Sequence, residues 1–184
     1  EIRCTFAASK NTYRMEATSQ SLTISTNTLP SGGVCIIQDF DNLAPLDYYN
    51  LFCALWPNQA DLEFNALLNG VAMSRTGYVS DARELSSRAP VGNVSITVLV
   101  KQKQYPKAIT CYPIDVRFPS VSEGSNSADV LKNIKAINNE TSYAEKPDEA
   151  VSVVTVVDDM YQNNQTTKEE AAEIVDDVIK NLMA

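Results

Sequence analysis

The sequence contains no histidine. This absence excludes Ser-His-Asp triads, histidine general bases and His-containing zinc fingers, because each of them needs an imidazole nitrogen as a base or a ligand. Glycine is scarce, with six residues in a chain of 184, and no glycine-rich loop is present to cradle a phosphate. No apolar run approaches the roughly 18 residues that cross a bilayer. We therefore expect no direct membrane insertion within this segment and expect any anchor to lie outside it.

Basic side chains are also few. The formal net charge is −8, which argues against nucleic acids and anionic membranes as partners, because clustered lysines and arginines bind their phosphates. Residues 1–120 carry ten basic and ten acidic side chains, whereas 121–184 carry five and thirteen. All four cysteines also lie in the first part. This change in composition predicts a boundary within the serine-rich stretch 120–127.

Short stretches of the first part alternate apolar and polar residues with the period of two that is typical of half-buried strands. They cover residues 22–24, 62–68, 94–100 and 114–118. A denser apolar run at 51–56 predicts a strand that is buried on both faces or lies near a packed tryptophan, Trp56. Proline, glycine and asparagine clusters separate these runs. Many short strands with turn signals between them predict a β-sandwich.

From residue 127 onward the apolar residues recur with a helical period. Ser127 is expected to cap a first helix, and Thr167 with Glu170 forms a capping box that starts a third. The apolar stripes of these two helices are Val130, Ile134 and Ile137, and Ala171, Ile174, Val175, Val178, Ile179, Leu182 and Met183. The chain is therefore predicted to be α+β overall, with an all-β sandwich followed by an α-helical segment.

The middle helix has a rival interpretation. Pro147, followed by Asp148 and Glu149, is a helix-start signature, because proline fits the first turn and acidic groups favour the positive end of the helix dipole. The apolar residues that then recur at helical spacing are Val151, Val154, Val157 and Tyr161. The β-branched run 152–157 has a low helix propensity, so a strand is the alternative there.

Four cysteines stand at positions 4, 35, 53 and 111, and no two of them are spaced as CxxC. A Cys₄ zinc site therefore has little support, whereas paired disulfides would place the chain outside the cytosol. A hairpin that turns at Ala44-Pro45, midway between Cys35 and Cys53, would put these two cysteines opposite each other. A bridge that closes so short a loop contributes about 3 kcal/mol in the chain-entropy model. Four buried thiols are the alternative.

Three N-x-S/T sequons begin at Asn93, Asn139 and Asn164. Asn139 and Asn164 fall in predicted inter-helix loops, and Asn93 lies at the start of a predicted strand, so a glycan can be accommodated at each of them. Together with the cysteines, the three sequons predict a secreted glycoprotein.

The sequence pattern predicts no catalytic residue, no metal site and no cofactor. The carboxylate pairs at 158–159, 169–170 and 176–177 would point about 100° apart on helices, so we expect solvated acidic faces there. Asp39-x-Asp41-Asn42 lacks the glycine and the distal glutamate of a calcium loop, and no serine occupies a GxSxG elbow. The protein is therefore predicted not to be an enzyme, and a secreted hydrolase is the disfavoured alternative.

Three motifs stand out together: Gly32-Gly33-Val34-Cys35, Phe52-Cys53-Ala54-Leu55-Trp56 and Ala89-Pro90-Val91-Gly92. In this order they resemble the fibronectin-III-like units of the receptor-for-egg-jelly module in polycystin-1-family proteins. The chain departs from the family pattern at Ala54-Leu55, where a glycine is frequent, and at Ala89, which replaces a leucine. The resemblance covers residues 29–120.

The resemblance implies three parts. Residues 1–30 would be the end of a preceding β-sandwich unit, 31–120 an immunoglobulin- or fibronectin-III-like sandwich, and 121–184 an acidic helical region that could begin a GAIN-type domain. The autoproteolysis tripeptide of such a domain contains histidine, so it cannot lie in this segment. The resemblance also suggests a second disulfide, Cys4–Cys111, which would lock the two sandwich units together.

The function that the resemblance implies is an extracellular adhesion and spacer module of a polycystin-1-like cell-surface receptor. The expected location is the extracellular side of the plasma membrane, including the ciliary membrane. Expected partners are other domains of the same receptor, a polycystin-2-type cation channel subunit and an extracellular ligand or filament. The alternative is a structural glycoprotein unit of an extracellular or ciliary filament or coat, without a receptor role.

Peptide mapping without reduction tests the cysteine pairing. We expect one peptide pair joined through Cys35 and Cys53 and a second joined through Cys4 and Cys111. Reduction before digestion is the control, and it should release the four cysteine peptides separately. A peptide in which Cys4 is joined to Cys35 would remove the second bridge.

Overall fold

The computed structural model describes residues 29–74 and 77–184. Over these residues the chain forms seven β-strands followed by three α-helices. The strands are β1 Val34–Ile37, β2 Tyr48–Ala54, β3 Leu62–Leu68, β4 Val71–Ala72, β5 Ser86–Arg88, β6 Gly92–Gln102 and β7 Tyr105–Phe118. The helices are α1 Ser127–Glu140, α2 Pro147–Gln162 and α3 Lys168–Met183.

The strands form two antiparallel sheets. One has the order β1-β2-β5 and the other the order β4-β3-β6-β7. Buried apolar side chains from both sheets meet in one core. The predicted β-sandwich followed by a helical segment is therefore confirmed at this level. The predicted strand at 22–24, and the predicted end of a preceding unit up to residue 28, lie outside the described residues.

The alternating pattern at 94–100 fixes which face of β6 is buried. Val94, Ile96, Val98 and Val100 point into the core, and each is at most 4% exposed. β6 pairs with β3 on one side and with β7 on the other. These β-branched side chains suit a pleated surface that is buried on one face, as the sequence predicts.

The dense apolar run of β2 is not buried on both faces. Leu51 and Cys53 point into the core, whereas Phe52 points outward and remains 39% exposed. After the strand, Leu55 adopts a left-handed φ of 64°, and its side chain is exposed. The next residue, Trp56, is only 5% exposed. Of the two interpretations of this run, the packed tryptophan is confirmed and the doubly buried strand is wrong.

Trp56 packs directly on Gly33, which precedes β1. A Cβ atom placed on Gly33 would overlap the indole ring. The ring also makes an edge-on contact with Tyr112 of β7, at 6.4 Å between ring centroids. Only glycine therefore leaves room for the indole at this position.

The disulfide Cys35–Cys53 joins β1 to β2. The two cysteines lie directly opposite each other in the antiparallel pair, so the predicted hairpin is confirmed. A disulfide fits an extracellular or secreted protein, because cytosolic thiols are kept reduced.

Two helix caps differ in detail from those predicted. Asn126, not Ser127, caps α1, since its Oδ1 accepts a hydrogen bond from Ala128 N at 2.9 Å. Thr167 Oγ1 caps α3 by accepting from Glu170 N at 3.1 Å. The Glu170 carboxylate contacts other side chains instead of returning the bond, so only half of the predicted capping box forms.

α2 forms across the β-branched run, so the alternative of a strand is wrong. Pro147 occupies its first turn, as predicted. Val154 and Tyr161, two members of the predicted apolar stripe, remain 37% and 42% exposed. The buried apolar face consists of Ala150, Val153, Val156, Val157 and Met160. Packing of this face outweighs the low helix propensity of its valines.

The helices build a second core against one end of the sandwich. Leu46 and Val91, from loops of the sandwich, belong to this core together with buried residues of all three helices. Ile174 and Val178 of α3 are buried in it, whereas the stripe continues into the exposed residues Ile179, Leu182 and Met183. Within the described ranges, no helix is long and apolar enough to cross a membrane.

Replacement of Gly33 by alanine tests the packing of the Trp56 ring on Gly33. The added methyl group must displace the Trp56 ring, so we expect the free energy of unfolding to fall by about 1–3 kcal/mol. Urea denaturation followed by tryptophan fluorescence measures the change, since Trp56 is the one tryptophan of the sequence. The control is Ser31→Ala in the exposed segment nearby, which should stay within about 0.5 kcal/mol. Equal denaturation midpoints for both variants would contradict the packing described.

Candidate functional site

Charged side chains are buried where the start of α2 meets β2 and β5. The Glu149 side chain is fully buried. Its carboxylate lies 3.0 Å from Arg88 Nε, 2.7 Å from Lys146 Nζ and 3.3 Å from Tyr48 Oη. We call these four residues, Tyr48, Arg88, Lys146 and Glu149, the ionic junction.

Strand register and helix start together bring the ionic junction into place. Tyr48 pairs directly with Arg88 across β2 and β5, and the guanidinium lies 4.2 Å from the centre of the Tyr48 ring. This is a favourable cation–π contact. Pro147 starts α2 immediately after Lys146, so Glu149 falls in the first helical turn. The helix dipole favours a carboxylate at that end.

One further hydrogen bond fixes α2 to the sandwich, since Ser152 Oγ donates to the backbone oxygen of Arg88 at 2.7 Å. Within the sandwich, Arg88 Nη1 donates to Leu46 O at 3.2 Å. Burial alone would lower the pKa of Lys146, but its hydrogen bond to Glu149 and the charge of that carboxylate outweigh burial and raise the pKa. The Glu149 carboxylate therefore has a cationic partner on each of two chain segments.

A second contact joins the other half of α2 to the segment after β7. Asp159 accepts hydrogen bonds from Ser120 Oγ at 2.7 Å and from Val121 N at 3.0 Å. The sequence predicts a solvated acidic face for Asp159, but the residue is half-buried and bonded. Its neighbour Asp158 is exposed, as predicted. α2 is thus attached to the sandwich near both of its ends.

Three buried side chains beside the ionic junction have oxygens without hydrogen-bond partners among the described residues. They are Tyr49, Ser87 and Asp148, and we call them the polar cluster. Tyr49 and Ser87 face each other across β2 and β5, and Asp148 lies in the first turn of α2. Each is at most 1% exposed, so the cluster is closed to solvent.

Burial raises the pKa of Asp148 to about 6, against the opposing effect of the nearby Ser87 hydroxyl. The neighbouring Glu149 charge adds to the rise, and Lys146 opposes it. The pKa of Tyr49 is raised above its ordinary range, first by burial and then by the charge of Asp148. An ionised Asp148 is therefore unfavourable in the folded protein, because its carboxylate is closed to solvent and has no well-formed hydrogen bond among the described residues.

The predicted cysteine sites fall in two different settings. Cys35 and Cys53 are bonded to each other in the core. Cys111 is an exposed free thiol on β7 within the described residues, and Cys4 lies outside them. The Cys4–Cys111 bridge therefore stays a prediction.

The three sequon asparagines, Asn93, Asn139 and Asn164, are all exposed. Asn164 lies between α2 and α3, as expected, with a left-handed φ of 56°. Asn139 lies in the last turn of α1 rather than in a loop, because the helix extends to Glu140. Exposure makes each side chain reachable, and glycosylation at these positions stays a prediction.

The ionic junction is not visible in the sequence. Asp148 and Glu149 are typical of an ordinary helix start, and nothing in the sequence around Arg88 indicates that it is the partner of Glu149. The Pro-Asp-Glu motif locates the residues, but their burial depends on the strands that α2 contacts. In the described ranges, no group of three histidine, cysteine, aspartate or glutamate side chains is placed to hold a metal ion.

Neither a protein-family model nor a curated protein matches this chain. The resemblance seen in the motifs therefore stays a prediction.

The variant Asp148→Asn tests the buried charge. The folded-state pKa of about 6 lies above the unfolded value of about 3.9, so the folded state binds more protons between these pH values. Unfolding free energy therefore falls as pH rises through this window, and the loss persists at neutral pH. Asparagine removes this titration. We expect the variant to match the wild type near pH 4 and to exceed its unfolding free energy by up to about 3 kcal/mol at pH 7.5.

Urea denaturation at the two pH values measures this difference. The matched control is Asp129→Asn, because Asp129 is an exposed acid in the first turn of α1. It should lower the unfolding free energy by at most about 1 kcal/mol, because it removes a favourable charge at the start of a helix, and it should not raise stability at pH 7.5. Destabilisation by Asp148→Asn at pH 7.5 would mean that the ionised carboxylate makes a favourable contact, contrary to our expectation.

Proposed function

We propose that this chain is an extracellular spacer and adhesion module of a polycystin-1-like cell-surface receptor. In this proposal the sandwich is a fibronectin-III-like unit, and the helices fix its orientation relative to the adjoining domain of the receptor. The observation that carries the proposal is the ionic junction, because it attaches α2 firmly to β2 and β5. A spacer that transmits orientation needs such an attachment.

The disulfide supports an extracellular setting. Cys35–Cys53 closes the first hairpin, and bridges of this kind persist where thiols are oxidised. The same bridge limits how far the sandwich can be extended when its ends are pulled, because the residues between the cysteines remain a closed loop. Both properties suit a module on the outer side of the plasma membrane or the ciliary membrane.

The strand order supports the immunoglobulin and fibronectin class of sandwich. In the immunoglobulin constant fold, the first, second and fifth strands share one sheet, and the third, sixth and seventh share the other. The order β1-β2-β5 and β3-β6-β7 follows this arrangement. The fourth strand pairs with the third instead of the fifth. The motif resemblance points to the same class of unit.

The partners in this proposal come from the resemblance. They are neighbouring domains of the same receptor, a polycystin-2-type channel subunit and an extracellular ligand or filament. Exposed apolar side chains on the outer face of the β1-β2 pair offer a contact surface for such partners. Ile36 and Phe52 lie opposite each other there, and they are 51% and 39% exposed.

Single-molecule pulling tests the spacer role. With handles at the two ends of the chain, we expect the sandwich and the helices to yield in one event, because the ionic junction joins them. Arg88→Met leaves the buried Glu149 carboxylate with less charge compensation, which is strongly destabilising in buried pairs. The helices should then separate from the sandwich before the sandwich unfolds, and at a lower force than in the wild type. Reduction should lengthen the fully unfolded chain by about 60 Å, since the cysteines are 18 positions apart.

The matched control for pulling is Arg83→Met. Arg83 forms an exposed ion pair with Asp81, and exposed pairs contribute little to stability. This variant should unfold like the wild type. If the helices of the wild type also separate from the sandwich at low force, that result would argue against a rigid spacer.

Cell fractionation separates the receptor from the filament alternative. Full-length protein in intact cells should be labelled by a membrane-impermeant biotin reagent and then released by mild detergent together with a cation channel subunit. Labelled protein that resists detergent and sediments with extracellular material would favour the filament.

A further inference from the structure

An open groove is lined by residues of α2, of α3 and of the chain around the start of β6. It has a volume of about 660 Å³. From α2 it includes Val154, Asp158 and Tyr161, which we call its floor. Ala172 and Val175 of α3 also line it, as does Val91 just before β6. We call this feature the α2 groove, and it is separate from both the ionic junction and the polar cluster.

The lining of the α2 groove is apolar apart from a few groups. Val154 and Tyr161 are exposed, although most residues of α2 are buried or half-buried. They are seven positions apart, which separates them by about 10 Å along the helix axis. This spacing matches apolar side chains two turns apart on a second helix, the pattern by which amphipathic helices dock into grooves.

The charge of the α2 groove has one sign. Its two charged lining residues are Asp158 and Asp159, and no lysine or arginine is among the described residues that line it. Asp159 is engaged by Ser120 and Val121. Asp158 has a long contact with Gln162 Nε2, at 3.4 Å, and no ion pair within the described part of the chain. An exposed carboxylate therefore lies uncompensated between the apolar side chains of the floor.

We propose that the α2 groove binds an amphipathic helix of a protein partner that carries a lysine or arginine within its apolar face. The apolar side chains of that helix cover Val154, Tyr161 and Val175, and its cation pairs with Asp158. Charge complementarity selects this occupant over an acidic helix, which would place like charges together. The inference concerns a surface that the receptor proposal does not use, and it stands whether or not that proposal holds.

Fluorescence anisotropy with three labelled peptides of 18 residues tests the proposal on the 184-residue chain. The peptides are identical except at one position in the middle of a leucine- and alanine-rich face, which carries lysine, glutamine or glutamate. We expect the lysine peptide to bind at least about tenfold more tightly than the glutamate peptide. Val154→Ser should weaken the lysine peptide several-fold, because Val154 supplies part of the apolar floor.

Charge-reversal variants separate a local effect from a general one. Asp158→Lys should weaken the lysine peptide roughly tenfold, because an attraction becomes a repulsion. Asp129→Lys changes the net charge by the same amount at an exposed position on α1 and should change the affinity less than about twofold. Urea midpoints of all variants establish that they are folded.

Several results would overturn the proposal. Equal weakening by Asp158→Lys and Asp129→Lys would assign binding to net charge alone. Equal affinity for the three peptides, or no binding of the lysine peptide, would remove the cationic helix as the occupant. Self-association of the chain without peptide, abolished by Asp158→Lys, would assign the groove to a second copy.

Discussion

The Glu149 carboxylate is removed from water only because Arg88 approaches it from β5 and Lys146 approaches it from the segment before α2. A buried charge without such partners is strongly destabilising. The contact of Glu149 with Arg88 and Lys146 therefore holds the helices and the strands in fixed positions relative to each other. Neither the sandwich end nor the start of α2 can shift without exposing or orphaning this charge. The second core, which includes Leu46 and Val91, lies between the same helices and the sandwich.

The polar cluster lies beside the ionic junction, but its carboxylate has no hydrogen-bonded cationic partner in the described part of the chain. Glu149 is fully compensated, whereas Asp148 is buried without a hydrogen-bond partner among the described residues. Adjacent residues on one helical turn thus place one favourable and one unfavourable carboxylate at the same interface. Because the pKa of Asp148 is raised to about 6, we expect this arrangement to lower the stability of the interface at neutral pH. It is consistent with a contact that is specific but not maximally stable.

Those parts of the fold that depend on local pattern could be predicted from the sequence. The alternation at 62–68 and 94–100 corresponds to β3 and β6 because one face of each strand is buried, and side-chain period then decides burial. Turn residues midway between Cys35 and Cys53 predict the hairpin that pairs them. Prediction fails where the neighbours decide the outcome. The left-handed turn at Leu55 ends β2 early, and α2 buries a different face because the sandwich contacts it from a side that the helical period does not reveal.

The ionic junction could not be predicted for the same reason. An acidic first turn is ordinarily solvated, and only the tertiary contact with β5 turns Glu149 into a buried ion-pair partner. The exposure of the sequon asparagines could be predicted without knowledge of any tertiary contact, because polar residues at the ends of helices and strands usually face solvent.

The hydrogen bond from Ser152 to the backbone oxygen of Arg88 has a consequence for assembly. Among the described strands, β5 is the last of its sheet, and its outer row of backbone groups would otherwise be free to recruit a strand from another molecule. By covering that border, α2 blocks sheet extension between neighbouring copies. Neighbouring copies of the chain are thereby protected from strand-to-strand aggregation at this border.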